Sequence, residues 1–226
     1  LEHWAAGDVD FLEGAELAGA PGEFAGGEGR LEHFAAAKGH VATLQALARA
    51  GVPLGERDGG GFTPAHHAAA NGHTPALKTL ARAGAPLGER DSRGRAPVRW
   101  AAVEGHAAAL EALARLGAPI GELDNTGSTP VHLAAYNGRT AALEALVRLG
   151  APLGVRDADG RTPAHWAALN GHAAALEALA RGGAPLGERN ADGRTPADLA
   201  ALSGHAAALE TLARAGAPLA DREAAG

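Results

Sequence analysis

The eleven histidines are the side chains in this chain best suited to chemistry. An imidazole titrates near neutral pH, ligates metals and serves as a general base. Spacing directs these rings to other work. His3, His33, His66, His132 and His165 share one register of a recurring pattern, and His40, His73, His106, His172 and His205 share a second; only His67 lies outside both. A side chain that returns in unit after unit serves something every unit needs. The expectation is a ring nitrogen bonded to local backbone or to the Thr three residues earlier, as in Thr63–His66, Thr129–His132 and Thr162–His165. Where Thr becomes Ala96, His becomes Arg99, as two hydrogen-bonded partners would change together.

The acidic residues recur in the same way. Asp58, Asp91, Asp124 and Asp157 are 33 residues apart, and Asn190 continues the series. Glu111, Glu144, Glu177 and Glu210 occupy one slot, and Glu56, Glu89, Glu122 and Glu188 another. Turn caps and solvated faces account for them. No paired carboxylates suit glycosidic or phosphoryl chemistry, and no Ser–His–Asp set stands out. Gly59-Gly60-Gly61 is followed by no phosphate-loop or dinucleotide fingerprint. The chain has no Cys, which removes disulfides, thiolate metal sites and a Cys nucleophile. The expectation is no enzyme, no cofactor and no metal.

The elements that position these residues follow from the 33-residue period. Full units run 25–57, 58–90, 91–123, 124–156, 157–189 and 190–222, with a short unit at 1–24. High Gly and low aromatic content could signal a disordered chain, but the 33 Gly are placed: 24 fall at positions 4, 15, 27 and 31 of the unit or the matching slots of the short one. In unit 157–189, Thr162 is a natural N-cap with Pro163 in the first turn. A first helix is expected over about Pro163 to Leu169, stopped at Asn170-Gly171. A second is expected over about His172 to Arg181, with Leu176, Leu179 and Ala180 on one face and Gly183-Ala184-Pro185 ending it. The segment between units should form a β-turn finger.

The period and the strings TPAHHAA–NGH, TPVHLAA–NGR and TPAHWAA–NGH resemble the ankyrin repeat over nearly the whole chain. That resemblance implies an all-α solenoid, here one domain over 1–226. Stacked helix pairs would carry projecting fingers, and the fingers and first helices would line a concave face. It also implies a protein-binding role. The chain departs from the family pattern in its second helices, where Ala-Leu-Glu-Ala-Leu-Ala replaces larger aliphatic residues. Less apolar area is buried per unit, partly offset by the helix propensity of Ala.

In a repeat array the scaffold repeats and specificity resides in what varies. The variable slots are positions 2, 3 and 5 in the finger and 10, 13 and 14 on the first helix. Phe62, Trp100, Tyr136 and Trp166 fall in such slots of neighbouring units, as interface anchors do. Trp100 and Trp166 read equally as packing between units, whereas Phe62 and Tyr136 favour contact. Val103 and Leu169 extend the apolar set. Arg93, Arg95, Arg99 and Arg161 would select charge, so a protein or peptide with acidic groups is the expected partner. Finger arginines could instead pair with Glu at position 32.

The net charge of −6 argues against general nucleic-acid binding. No apolar run approaches a membrane span and no leader pattern opens the chain, so a cytoplasmic monomer is expected. Lack of Cys and Met also suits an engineered or self-assembling scaffold with no natural ligand.

Overall fold

The computed structural model describes residues 30–219. The short unit 1–24 and the last residues of unit 190–222 lie outside the described residues. Within them the chain forms twelve α-helices and no strand. The first helices of successive units are α1 (Leu31–Ala37), α3 (Pro64–Ala70), α5 (Pro97–Glu104), α7 (Pro130–Tyr136), α9 (Pro163–Leu169) and α11 (Pro196–Leu202). The second helices are α2 (Val41–Arg49), α4 (Thr74–Arg82), α6 (Ala107–Arg115), α8 (Thr140–Arg148), α10 (Ala173–Arg181) and α12 (Ala206–Arg214). Each first helix packs on the first helices of adjoining units, and the second helices form a parallel column behind them.

The helix starts follow from local chemistry. Thr63, Thr129, Thr162 and Thr195 cap α3, α7, α9 and α11 in extended backbone, each with Pro in the first turn. Each Thr side chain takes the N–H three residues on, while His66, His132, His165 or Asp198 returns a bond to the Thr backbone N–H. Ala96 leaves α5 without a side-chain cap.

Between the two helices of a unit, Gly138 and Gly171 have φ of +61° and +71°. A Cβ there would sit 2.6 Å from the His172 ring and 2.7 Å from the His205 ring. Both the left-handed backbone and the close approach therefore exclude larger residues. Rings in this register staple one unit to the preceding one. His73, His106 and His172 donate Nε2–H to the carbonyls of Ala37, Ala70 and Tyr136 at 3.1, 3.0 and 2.9 Å. These carbonyls end first helices and lack intrahelical partners. Arg139 does the same for Val103 at 2.8 Å.

The core is a continuous file between the helix columns. The paired alanines Ala101-Ala102, Ala134-Ala135 and Ala167-Ala168 are fully buried and let first helices approach closely. Leu110, Leu113, Leu143, Leu146, Leu176 and Leu179 fill the space toward the second helices. Each such Leu contributes about 1.5–3 kcal/mol, so the leucines carry most of the apolar stabilisation of this Ala-rich core.

Candidate binding face

The fingers are built by the first residue of each unit. Oδ1 of Asp58 accepts the N–H groups of Gly60 and Phe62, both at 2.9 Å. Asp91, Asp124, Asp157 and Asn190 repeat the pattern on the second and fourth residues after them. The second carboxylate oxygen is left for a different donor in each unit. Asp58 takes His67 Nε2 at 2.7 Å, and Asp157 takes Trp166 Nε1 at 2.7 Å. Asp91 takes Arg95 Nε at 2.6 Å, which leaves the buried Trp100 Nε1 without a partner. Unit 124–156 has Leu133 where those units have His67 and Trp166, so no ring donor competes for Asp124 Oδ2. Arg99 of the preceding unit reaches it at 3.1 Å. The last described finger opens with neutral Asn190 and has Leu199 at that ring position.

The repeated His rings meet the expectation of local bonding and extend it. The Thr63, Thr129 and Thr162 backbone N–H groups donate to Nδ1 of His66, His132 and His165 at 3.0–3.1 Å. Nε2–H of the same rings donates to the carbonyls of Arg95, Arg161 and Arg194 at 2.9, 3.1 and 3.0 Å. Each ring is thus a neutral bridge between units. Burial pushes the His66 imidazole down to about 4 and lowers His132 and His165 in the same direction. Burial alone would raise the Asp58 carboxyl, but the bonds from His67 and the Phe62 N–H bring it below its ordinary value.

Several side chains expected to meet a partner are placed inside. Phe62 is 5% exposed and Trp100 is 1% exposed. Their rings stack edge-to-face at 5.8 Å, with the Arg95 guanidinium 4.7 Å from the Trp100 centroid and 5.4 Å from that of Phe62. The open anchor expected at Phe62 is therefore covered. Its finger lies against the next unit, where a large ring at position 10 supplies the surface it buries. Trp166 is also buried, with Tyr136 edge-on to it at 5.5 Å and Arg161 4.6 Å from its centroid. For Trp100 and Trp166, the placement is that of packing between units. Arg95, Arg99, Arg161 and Val103 are buried too. The arginines expected to select charge at 95, 99 and 161 instead lie along ring faces, with Arg95 and Arg99 paired to aspartates.

The structure thus assembles two clusters, Phe62–Arg95–Trp100–Arg99 and Tyr136–Trp166–Arg161. Accessible surface remains at Arg93, which is exposed, and at Tyr136 and Leu169, which are half-buried. Leu202, at the same position of the next unit as Leu169, is 68% exposed and was not among the expected site residues. Its signal was the position-13 column itself, Ala37, Ala70, Val103, Tyr136, Leu169, Leu202, which grows larger and more apolar along the chain. Leu123 was missed as well. Arg57–Glu89, Arg90–Glu122 and Arg156–Glu188 form a ladder of exposed ion pairs along the fingers, and Leu123 and Val155 stand where the next rung would be.

Among the described residues, no three His, Asp or Glu side chains converge as metal ligands, and no helix is long and apolar enough to cross a membrane. A family model described as ankyrin repeats (3 copies) matches residues 33–124, 83–157, 100–187 and 131–222 in overlapping registers. The paired helices, the Thr–His caps and these matches make the class plain: the chain belongs to the ankyrin-repeat family. Such repeats generally mediate protein–protein interaction and are typically non-catalytic. No curated protein matches the chain significantly.

Proposed function

We propose that this chain is a non-catalytic binding module that takes a peptide or protein surface along its column of first helices. The observation that carries this reading is the position-13 column. Tyr136, Leu169 and Leu202 offer large apolar side chains, one per unit, the first two half-buried and the last exposed. The side chains beneath it are locked by packing and hydrogen bonds, so the surface is pre-organised and little ordering opposes binding. Exposed Arg93, on an adjoining finger, favours a partner that carries an acidic group beside its apolar residues. The active form is a cytoplasmic monomer.

Panning a displayed random-peptide library on the chain tests this. Enriched peptides should combine spaced apolar residues with an acidic one, and a Tyr136→Ala/Leu169→Ala variant should not retain them. Equal retention by that variant, with unchanged helicity, would remove the column from the site.

A further inference from the structure

We propose that the junction between units 91–123 and 124–156 holds a binding site for one small anion, a free halide or the tip of a carboxylate. The site arises where the chain breaks its own rule. In three other units an imidazole stands between the capping Thr and the next finger. In this unit both partners are absent, replaced by Ala96 and Arg99. In their place is a recess of about 10 Å³, room for one water-sized occupant. Arg95, Ala96, Arg99, Asp124 and Ser128 are among the residues lining it.

Two of the residues that line this recess carry unmet donors. Arg95 and Arg99 are 4% and 6% exposed, and each has a buried Nη1 with no partner. The Ala96 N–H also lacks the ring nitrogen that Thr63, Thr129 and Thr162 bond. The nearby acceptors are already engaged. Asp91 takes two backbone N–H groups and Arg95 Nε. Asp124 takes the N–H groups of Thr126 and Ser128, the Thr126 hydroxyl and Arg99 Nε. Glu122 also lines the recess, but it is largely exposed and directed to Arg90 at 3.9 Å. Buried donors without acceptors are costly, and guanidinium donors most of all. An acceptor-only occupant satisfies them; a monatomic anion or one carboxylate oxygen matches the recess in size and character.

The test is anomalous diffraction from crystals soaked in sodium bromide, together with melting curves in sodium bromide, sodium formate and sodium sulfate at matched ionic strength. The comparison protein is Ala96→Thr/Arg99→His, which restores the Thr–His pair found in the other units. The wild type should show a bromide peak within bonding distance of Arg95 and Arg99, absent from the variant. Bromide should raise its melting temperature saturably, by about 2–4 °C at a few-fold excess over the dissociation constant, beyond any change in the variant. A formate effect equal to that of bromide assigns the site to carboxylates as well as halides. Sulfate, too large for the recess, should give no saturable rise. The proposal is overturned if the recess holds only water in bromide, or if peak and stabilisation persist in the variant, which would mark an adventitious ion only.

Discussion

His66 Nε2 lies 2.9 Å from the carbonyl of Arg95, 29 residues later and one unit away. The other nitrogen of the same ring accepts from Thr63 at the start of its own helix. One imidazole therefore joins a helix cap to the next finger. The arrangement requires the ring to stay neutral, because Nδ1 must accept.

That requirement sets an acid limit on stability. The folded-state value for His66 is depressed to about 4, while the unfolded ring titrates near 6.5. Between those values the unfolded chain binds the additional proton, so stability falls as pH falls and is level above about 6.5. His66 alone accounts for a loss of roughly 3 kcal/mol across that window. His132, His165 and His172 shift the same way through burial and add to it. Urea midpoints measured at about pH 7.5 and about pH 5 should show a large drop. An unchanged midpoint would mean that the rings accept protons in place.

Removing one bridge should be severe. His132→Ala leaves the Thr129 N–H and hydroxyl without their ring acceptor in a buried site, while the Arg161 carbonyl keeps only the Asp157 N–H. Each orphaned group costs about 1–3 kcal/mol. Chemical denaturation should therefore show a loss of several kcal/mol, far above an exposed His→Ala change. A loss below about 1 kcal/mol would show that water replaces the ring.

The two central tryptophans should respond differently to the same substitution. Trp166→Phe removes the Nε1–H bond to Asp157 and should cost about 1.5–3 kcal/mol beyond the lost volume. Trp100→Phe removes a buried Nε1–H that has no partner. That variant should lose only packing, and its deficit should be clearly the smaller. Equal deficits would contradict the assignment of Asp91 Oδ2 to Arg95.

Glycine substitutions separate backbone strain from crowding. Gly138 and Gly150 both have positive φ, but only Gly138 faces a ring where a Cβ would fall. Gly150→Ala should cost about 1–2 kcal/mol from the left-handed backbone alone. Gly138→Ala should cost more, since the His172 ring must move and loosen its bond to Tyr136. Melting curves that rank the pair in the opposite order would contradict this packing.

The architecture was legible because punctuation and periodicity act locally. Thr162-Pro163 begins a helix and Asn170-Gly171 ends one for reasons contained in a few residues. The Thr–His pair could be inferred because Ala96 and Arg99 changed together. The site was less legible, since accessibility is set by what the neighbouring unit places on a side chain. Phe62 and Trp100 occupy variable positions yet bury each other across a unit boundary. Arg99 reads as a first-helix charge open to a partner until Leu133 is seen to leave Asp124 without a ring donor. Variation between units marks coupled packing as readily as it marks a binding surface.

The most direct test of the binding account is the affinity of a peptide selected on the wild-type chain for the Tyr136→Ala/Leu169→Ala variant, measured by titration calorimetry. Both side chains are half-buried at the surface, and a melting curve of the variant, which also loses the Tyr136 ring beside Trp166, establishes that it is folded at the temperature of the titration. The account predicts at least a roughly tenfold loss of affinity, equivalent to about 1.4 kcal/mol. Unchanged affinity in a normally folded variant would contradict it.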